Sequence, residues 1–195
     1  MNLDRLITDR TIEDVRRVQA LKEKFLTIGL HAEELHEYMA GMKGAYNARD
    51  LNRVGAWLRH IAARMHQAAS DIEEMVRRHG QPFDWASFFG IAHELDAVAL
   101  GVYPKTNWNV QDIPRVREMS QFLENLSDIR EQLHMPNATK VPDSLDGMTY
   151  ETANDIERLI FEMSTRLEEV EHDIVDAFRR FVAGFVYTGA AYCGE

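Results

Sequence analysis

The chain contains three Glu-x-x-His pairs, whose residue types and spacing could bind a metal. They are Glu33/His36, Glu131/His134 and Glu169/His172. Di-iron helical bundles use such pairs as ligands that project into the bundle interior. In the last helix Leu167, Val170 and Ile174 form the apolar stripe, which leaves Glu169 and His172 on its flank. A metal-dependent helical-bundle enzyme is therefore an alternative, and the favoured prediction is a chain without metal or cofactor.

Nucleophilic catalysis has no sequence support. The chain contains no Gly-x-Ser-x-Gly elbow, no glycine-rich phosphate loop and no Cys-x-x-Cys motif. The single cysteine, Cys193, excludes an internal disulfide and is typical of a chain made in a reducing cytosol. The sequence therefore predicts a protein that is not an enzyme.

Charge and hydropathy restrict the partners. The net charge of −10 predicts repulsion from a phosphate backbone, so nucleic acid is not an expected partner. No apolar run approaches the roughly 20 residues that span a bilayer, so a membrane is not expected either. The remaining candidates are other proteins and further copies of this chain.

Apolar residues recur at steps of three and four along most of the chain, which indicates amphipathic helices. The clearest stripes run from Leu51 to Met75, from Met119 to Leu133 and from Ile156 to Phe181. A first helix fits residues 12–26, and a short one fits residues 32–40. We predict an all-α single domain over residues 1–195, with about four main helices in an antiparallel bundle and one or two shorter helices.

The most apolar segment covers residues 82–103 and lies between the apolar stripe that ends at Met75 and the one that begins at Met119. One interpretation is an inserted helix that packs on the bundle. The other is an exposed surface that binds a partner through Trp85, Phe88 and Phe89, since exposed apolar patches commonly mark interaction sites.

One eight-residue pattern occurs four times, at residues 11–18, 47–54, 109–116 and 152–159. Each copy has Thr or Asn, then Asp three positions later and Arg three positions after that. Thr or Asn can cap a helix, Asp can complete a capping box, and Asp and Arg can pair on one helical face. We interpret the pattern as a helix start, and its twelve residues are Thr11, Asp14, Arg17, Asn47, Asp50, Arg53, Asn109, Asp112, Arg115, Thr152, Asp155 and Arg158.

The C-terminal stretch alternates glycines with the aromatic residues Phe185, Tyr187 and Tyr192. Such a composition suits an extended arm that binds in a groove of a neighbouring subunit. The alternative is a tail that folds back on its own core.

Five phrases of the chain resemble, in the same order, a helical structural module of tailed-phage and prophage virion proteins of Gram-positive bacteria. They are "DRTIEDVRRVQALKEK", "MKGAYNARDLNRVG", "TNWNVQDIPRVREMSQFLENLSDIR", "VPDSLDGMTYETANDIERLIFEM" and "FVYTGAAYCGE". The resemblance implies a non-enzymatic virion protein, associated with the tail or its tip, that contacts other virion proteins during assembly. It brings no catalytic residue, and a prophage-encoded adaptor outside the particle is the first alternative.

Overall fold

The computed structural model describes residues 3–79 and 85–189, and it describes side chains as far as residue 184. The described residues form six α-helices and no β-strand. The helices are α1 (Ile12–Thr27), α2 (Ala32–Met39), α3 (Ala48–His79), α4 (Ala86–Gly101), α5 (Val116–Gln132) and α6 (Tyr150–Gly189). The predicted all-α helical bundle is confirmed. None of the described helices combines the length and the apolar character needed to cross a membrane.

The hydrophobic core is built by α3, α4, α5 and α6. Each of them buries one apolar stripe, as the spacing of three and four predicts. The innermost side chains, all with less than 2% exposure, include Leu58, Ile61, Met65, Ile72, Leu126, Ile129, Ile156, Leu159, Ile160 and Met163.

The directions of the core helices follow from their contacts. Helix α4 runs antiparallel to α3, because His79 contacts Trp85 before α4 begins and His66 contacts Asp96 in its middle. Helices α3 and α6 run in the same direction, because contacts join residues in rising order along both helices: Arg53 to Glu157, Arg64 to Glu171 and His79 to Phe178. The predicted antiparallel arrangement thus holds for α3 and α4. The long connection between α5 and α6 leads the chain back, so that α6 runs parallel to α3.

The segment predicted as an inserted helix contains α4, which is part of the core. Trp85 stacks on Phe178 with ring centroids 5.3 Å apart, and Phe88 meets the same ring edge-on at 5.5 Å. Phe181 lies 5.1 Å from Trp85. Trp85 and Phe88 are therefore buried core residues, and the prediction that they form an exposed partner surface is wrong for them. Phe89, the next residue along α4, is 48% exposed.

Helices α1 and α2 form a hairpin outside that core. Leu21 is the only buried residue of α1, and α2 has none. Two ion pairs join the helices, Arg17 to Glu37 and Lys24 to Glu34, each at 2.7 Å. Helix α1, which the sequence predicts as the first helix, therefore lies outside the core, and α4 is one of the four helices that build it.

Candidate functional site

Four charged side chains form a buried network where the N-terminal segment, α3 and α6 meet. The Arg10 guanidinium donates to Asp50 at 2.9 Å and to Glu157 at 2.6 Å. Arg53 donates to Glu157 through Nε at 3.0 Å and through Nη2 at 2.7 Å, and it also bonds to Asp50. All four side chains are at most 7% exposed. Two positive and two negative charges cancel inside the fold.

All four oxygens of the two carboxylates in this network accept hydrogen bonds within the fold. Glu157 accepts from the Ile7 backbone N–H at 2.6 Å in addition to the two arginines. Asp50 accepts from the Asn47 backbone N–H at 2.9 Å through its second oxygen. Burial acts to lower the pKa of Arg53, but its hydrogen bonds to Glu157 and Asp50 outweigh burial and raise it. The network therefore fits a structural lock and not a general base.

Arg10 also fixes the base of the α1–α2 hairpin. Its backbone N–H donates to the Asn154 side chain at 3.0 Å, and Asn154 donates back to the Arg10 carbonyl at 2.9 Å. Its Nε donates to the Lys43 carbonyl at 3.1 Å, on the far side of the hairpin. The backbone approaches closely beside it, since a Cβ on Gly44 would lie 2.2 Å from the Asp14 carbonyl oxygen. These contacts hold both ends of the hairpin against α6.

Tyr46 covers the network. The Arg10 guanidinium carbon lies 5.4 Å from the centre of its ring, within the range of a cation–π interaction. Its hydroxyl is buried without a hydrogen-bond partner. Burial raises the pKa of this hydroxyl, and the nearby carboxylates of Glu157 and Asp50 raise it further. Tyr46 therefore stays neutral beside the ion pairs.

Sequence reasoning found half of this network. It singled out Asp50 and Arg53 as a pair on one helical face, and it missed Arg10 and Glu157, together with the Asn154 side chain that bonds to the Arg10 backbone. The usable signal was the position of Glu157 beside Ile156 and three residues before Ile160, inside the buried stripe of α6. A charge at such a position requires a buried partner.

Two copies of the repeated pattern begin helices as the sequence predicts. Thr11 accepts from the Asp14 backbone N–H at 3.3 Å, and Asp14 accepts from that of Thr11 at 2.8 Å, which forms a capping box for α1. That backbone hydrogen bond lowers the pKa of Asp14. Asn47 precedes α3 and accepts from the Arg49 backbone N–H at 2.8 Å.

The other two copies differ from the prediction. Helix α6 begins at Tyr150, because the Thr149 hydroxyl accepts from the Thr152 backbone N–H at 3.2 Å, so Thr152 lies in the first turn and is not the cap. Asn109 starts a turn, and its side chain accepts from the Gln111 backbone N–H at 3.0 Å. Pro114 disfavours helix at the residue before it, so α5 begins only at Val116.

Two of the four predicted Asp–Arg pairs form in the structure, and two do not. Asp155 and Arg158 form an exposed pair at 2.8 Å, and Asp50 and Arg53 form the buried one. The other two pairs do not form in the structure, because other charged residues pair with their members: Arg17 pairs with Glu37, and Asp112 pairs with Lys105 at 3.3 Å.

The Glu-x-x-His pairs do not come together. Glu169 pairs with Arg166 at 2.9 Å, and the His172 side chain is 75% exposed. His134 has φ +51° and ends α5, where its backbone N–H donates to the Glu131 carbonyl at 3.0 Å. The described residues contain no group of three or more His, Cys, Asp or Glu that could hold a metal.

The structure describes part of the predicted C-terminal arm. Phe185 and Tyr187 belong to the last turns of α6, so this part of the predicted arm is helical and not extended, and their side chains lie outside the described residues. Tyr192 also lies outside them. The prediction of a docking arm thus stays a prediction.

No protein-family model, no curated protein and no solved structure matches this chain.

Proposed function

We propose that the chain is a non-enzymatic structural protein of a tailed-phage or prophage particle. In this proposal it is made in the bacterial cytoplasm, is associated with the tail or its tip, and contacts neighbouring virion proteins or further copies of itself. Five phrases spread over most of the chain resemble the virion module, and this resemblance supports the particle as the setting.

The observation that supports a contact role is the α1–α2 hairpin. Three of its large apolar side chains are mostly exposed: Leu26 at 72%, Ile28 at 80% and Met39 at 76%. Exposed apolar side chains on an element outside the core are typical of protein interaction surfaces. The buried network holds this hairpin firmly at its base, so it can present the surface without rearranging the core.

The test is mass spectrometry of particles purified from the strain that encodes the chain. We expect the protein in the particles, and we expect an Ile28→Asp/Met39→Asp variant to fold but to be missing from them. Phe161→Asp is the matched control, because Phe161 is 60% exposed on α6, away from the hairpin, and its variant should be incorporated. A protein that is absent from purified particles but bound to a soluble partner would favour the adaptor alternative.

A further inference from the structure

A groove crosses the amino-terminal half of α3, with a volume of about 690 Å³. Its floor consists of Ala48, Asn52 and Ala56, which are spaced four residues apart on one helical face. Leu3 lies on one wall and Val110 on the other, and Val110 is 94% exposed. Small side chains below and apolar side chains beside them leave room for a segment of another chain.

The wall formed by residues 105–110 is held rigidly on α3. The Asn52 amide donates to the Trp108 carbonyl at 2.8 Å and accepts from the Trp108 backbone N–H at 2.7 Å. Gly55 permits the close approach, since a Cβ there would lie 2.5 Å from the Lys105 carbonyl oxygen. The groove is therefore preformed and does not require a ligand to open it.

Two exposed arginines lie along this groove, and neither forms an ion pair within the described part of the chain. Arg59 donates to the Thr106 hydroxyl at 2.8 Å, and Arg49 makes a long contact of 3.5 Å with the Ala40 carbonyl. Arg5 lines an adjoining cleft that shares Arg49. Among the described residues that line the groove, Asp4 is the one acidic side chain, so the two arginines leave the groove locally positive in a chain with a net charge of −10.

We propose that this groove binds an acidic segment of a partner protein, with carboxylates that pair with Arg49 and Arg59 and an apolar side chain between them. The two arginines are ten residues apart on α3, which is about 15 Å along the helix. An extended segment covers that distance with about five residues. Leu3, Ala56 and Val110 provide the apolar contacts between the two ion pairs.

A protein segment fits better than a nucleic acid, because an extended polyanion would also meet the acidic surface beyond the groove. The inference deepens the proposed assembly role by naming the chemistry of the partner, and it rests on that role for its biological setting. The binding itself is a property of the isolated protein.

The probe is a fluorescein-labelled ten-residue peptide in which glutamates flank two central leucines, with a lysine-for-glutamate peptide as the control ligand. Fluorescence anisotropy at low salt should show binding of the glutamate peptide and not of the lysine peptide. We expect an Arg49→Glu/Arg59→Glu variant to bind at least tenfold more weakly. Arg77→Glu is the matched control, because Arg77 is an exposed arginine at the other end of α3. This variant should bind the glutamate peptide with unchanged affinity.

Four outcomes would overturn the inference. They are no binding of the glutamate peptide, an equal loss in the Arg77→Glu control, and displacement by a single-stranded RNA of equal charge at lower concentration. The fourth is self-association that the Arg49→Glu/Arg59→Glu variant abolishes without any peptide binding, which would replace the partner by a second copy. Absence from purified particles would contradict the proposed function alone, so the two proposals can fail separately.

Discussion

Single residues have their largest effect in the buried network. A buried charge is costly unless an opposite charge and hydrogen bonds compensate for it, and each member of this network has both. Asp50 and Asp155 occupy the same position of the repeated pattern, yet one is buried and the other is exposed. The same local motif therefore contributes very different free energies at its two positions.

We expect Arg53→Ala to lower the free energy of unfolding by about 3–5 kcal/mol, because it leaves the carboxylates of Asp50 and Glu157 with one arginine between them. Arg158→Ala removes the equivalent exposed arginine and should cost at most about 1 kcal/mol. Urea denaturation of both variants measures the difference. Equal losses would show that burial of the Arg53 pair has no energetic consequence.

The capping box of α1 gives a pH dependence. The hydrogen bond from the Thr11 backbone lowers the pKa of Asp14 in the folded state, so its stabilisation is present above the unfolded value of about 3.9 and is lost as the pH falls below it. We expect Asp14→Ala to be less stable than the wild type at pH 6, by about 1 kcal/mol. The difference should shrink on titration towards pH 3, and a constant difference would contradict the assignment.

At the scale of the elements, the distance from a helical residue to a neighbouring segment decides whether that position can carry a side chain. Gly55 and Gly90 both lie inside helices, but Gly55 touches the connection after α4, whereas a Cβ on Gly90 would meet nothing within 4 Å. Glycine lowers helix stability through its backbone entropy unless a contact requires it. The two glycines therefore have opposite roles despite their similar local settings.

Replacement of each glycine by alanine tests this distinction. Gly90→Ala should stabilise the protein by about 0.5–1 kcal/mol, because it reduces the entropy of the unfolded chain and the site has space. Gly55→Ala should destabilise it by about 1–3 kcal/mol, since the new methyl group displaces the Lys105 carbonyl. Thermal unfolding of the two variants should shift in opposite directions. Stabilisation by both would mean that the 105–110 connection moves freely.

At the scale of the whole molecule, the chain divides into a four-helix core and a hairpin attached to it. The core cluster draws its members from α3 to α6 and the segments beside them, with none from α1 or α2. The attachment depends on Arg10, Asn154 and the close backbone contact at Gly44. A hairpin with so little buried apolar surface derives its order from polar contacts at its base.

Hydrogen exchange measures this division directly. Amides of α1 and α2 should exchange through local opening at a lower free energy than those of α3 and α6, because few buried side chains hold the hairpin. An Asn154→Ala variant should accelerate exchange in the hairpin more than in α5, which lies away from Asn154. Uniform protection across all helices would show one cooperative unit instead.

The helical class, most helix positions and the apolar stripes could be predicted from the sequence. Those features depend on neighbours three or four residues apart, and the spacing from Ile156 to Ile160 or from Leu58 to Ile61 reports them without any fold. The capping of α1 by Thr11 is local in the same sense, since its partner Asp14 is three residues away. The Thr149 cap shows the limit, because Thr149 and Thr152 are both candidate caps three residues apart, and the local sequence does not decide between them.

Tertiary structure decided which helices share the core and which charges are buried. Arg53 and Glu157 are 104 residues apart, and the parallel packing of α6 on α3 brings them within 2.7 Å. Local patterns carry no information on that distance, because Glu157 occupies a position that varies among the four copies of the repeated pattern, and Arg10 precedes the first copy. The placement of α4 in the core and of α1 outside it also depends on tertiary packing, because the helices compete to bury their apolar surface in one shared core.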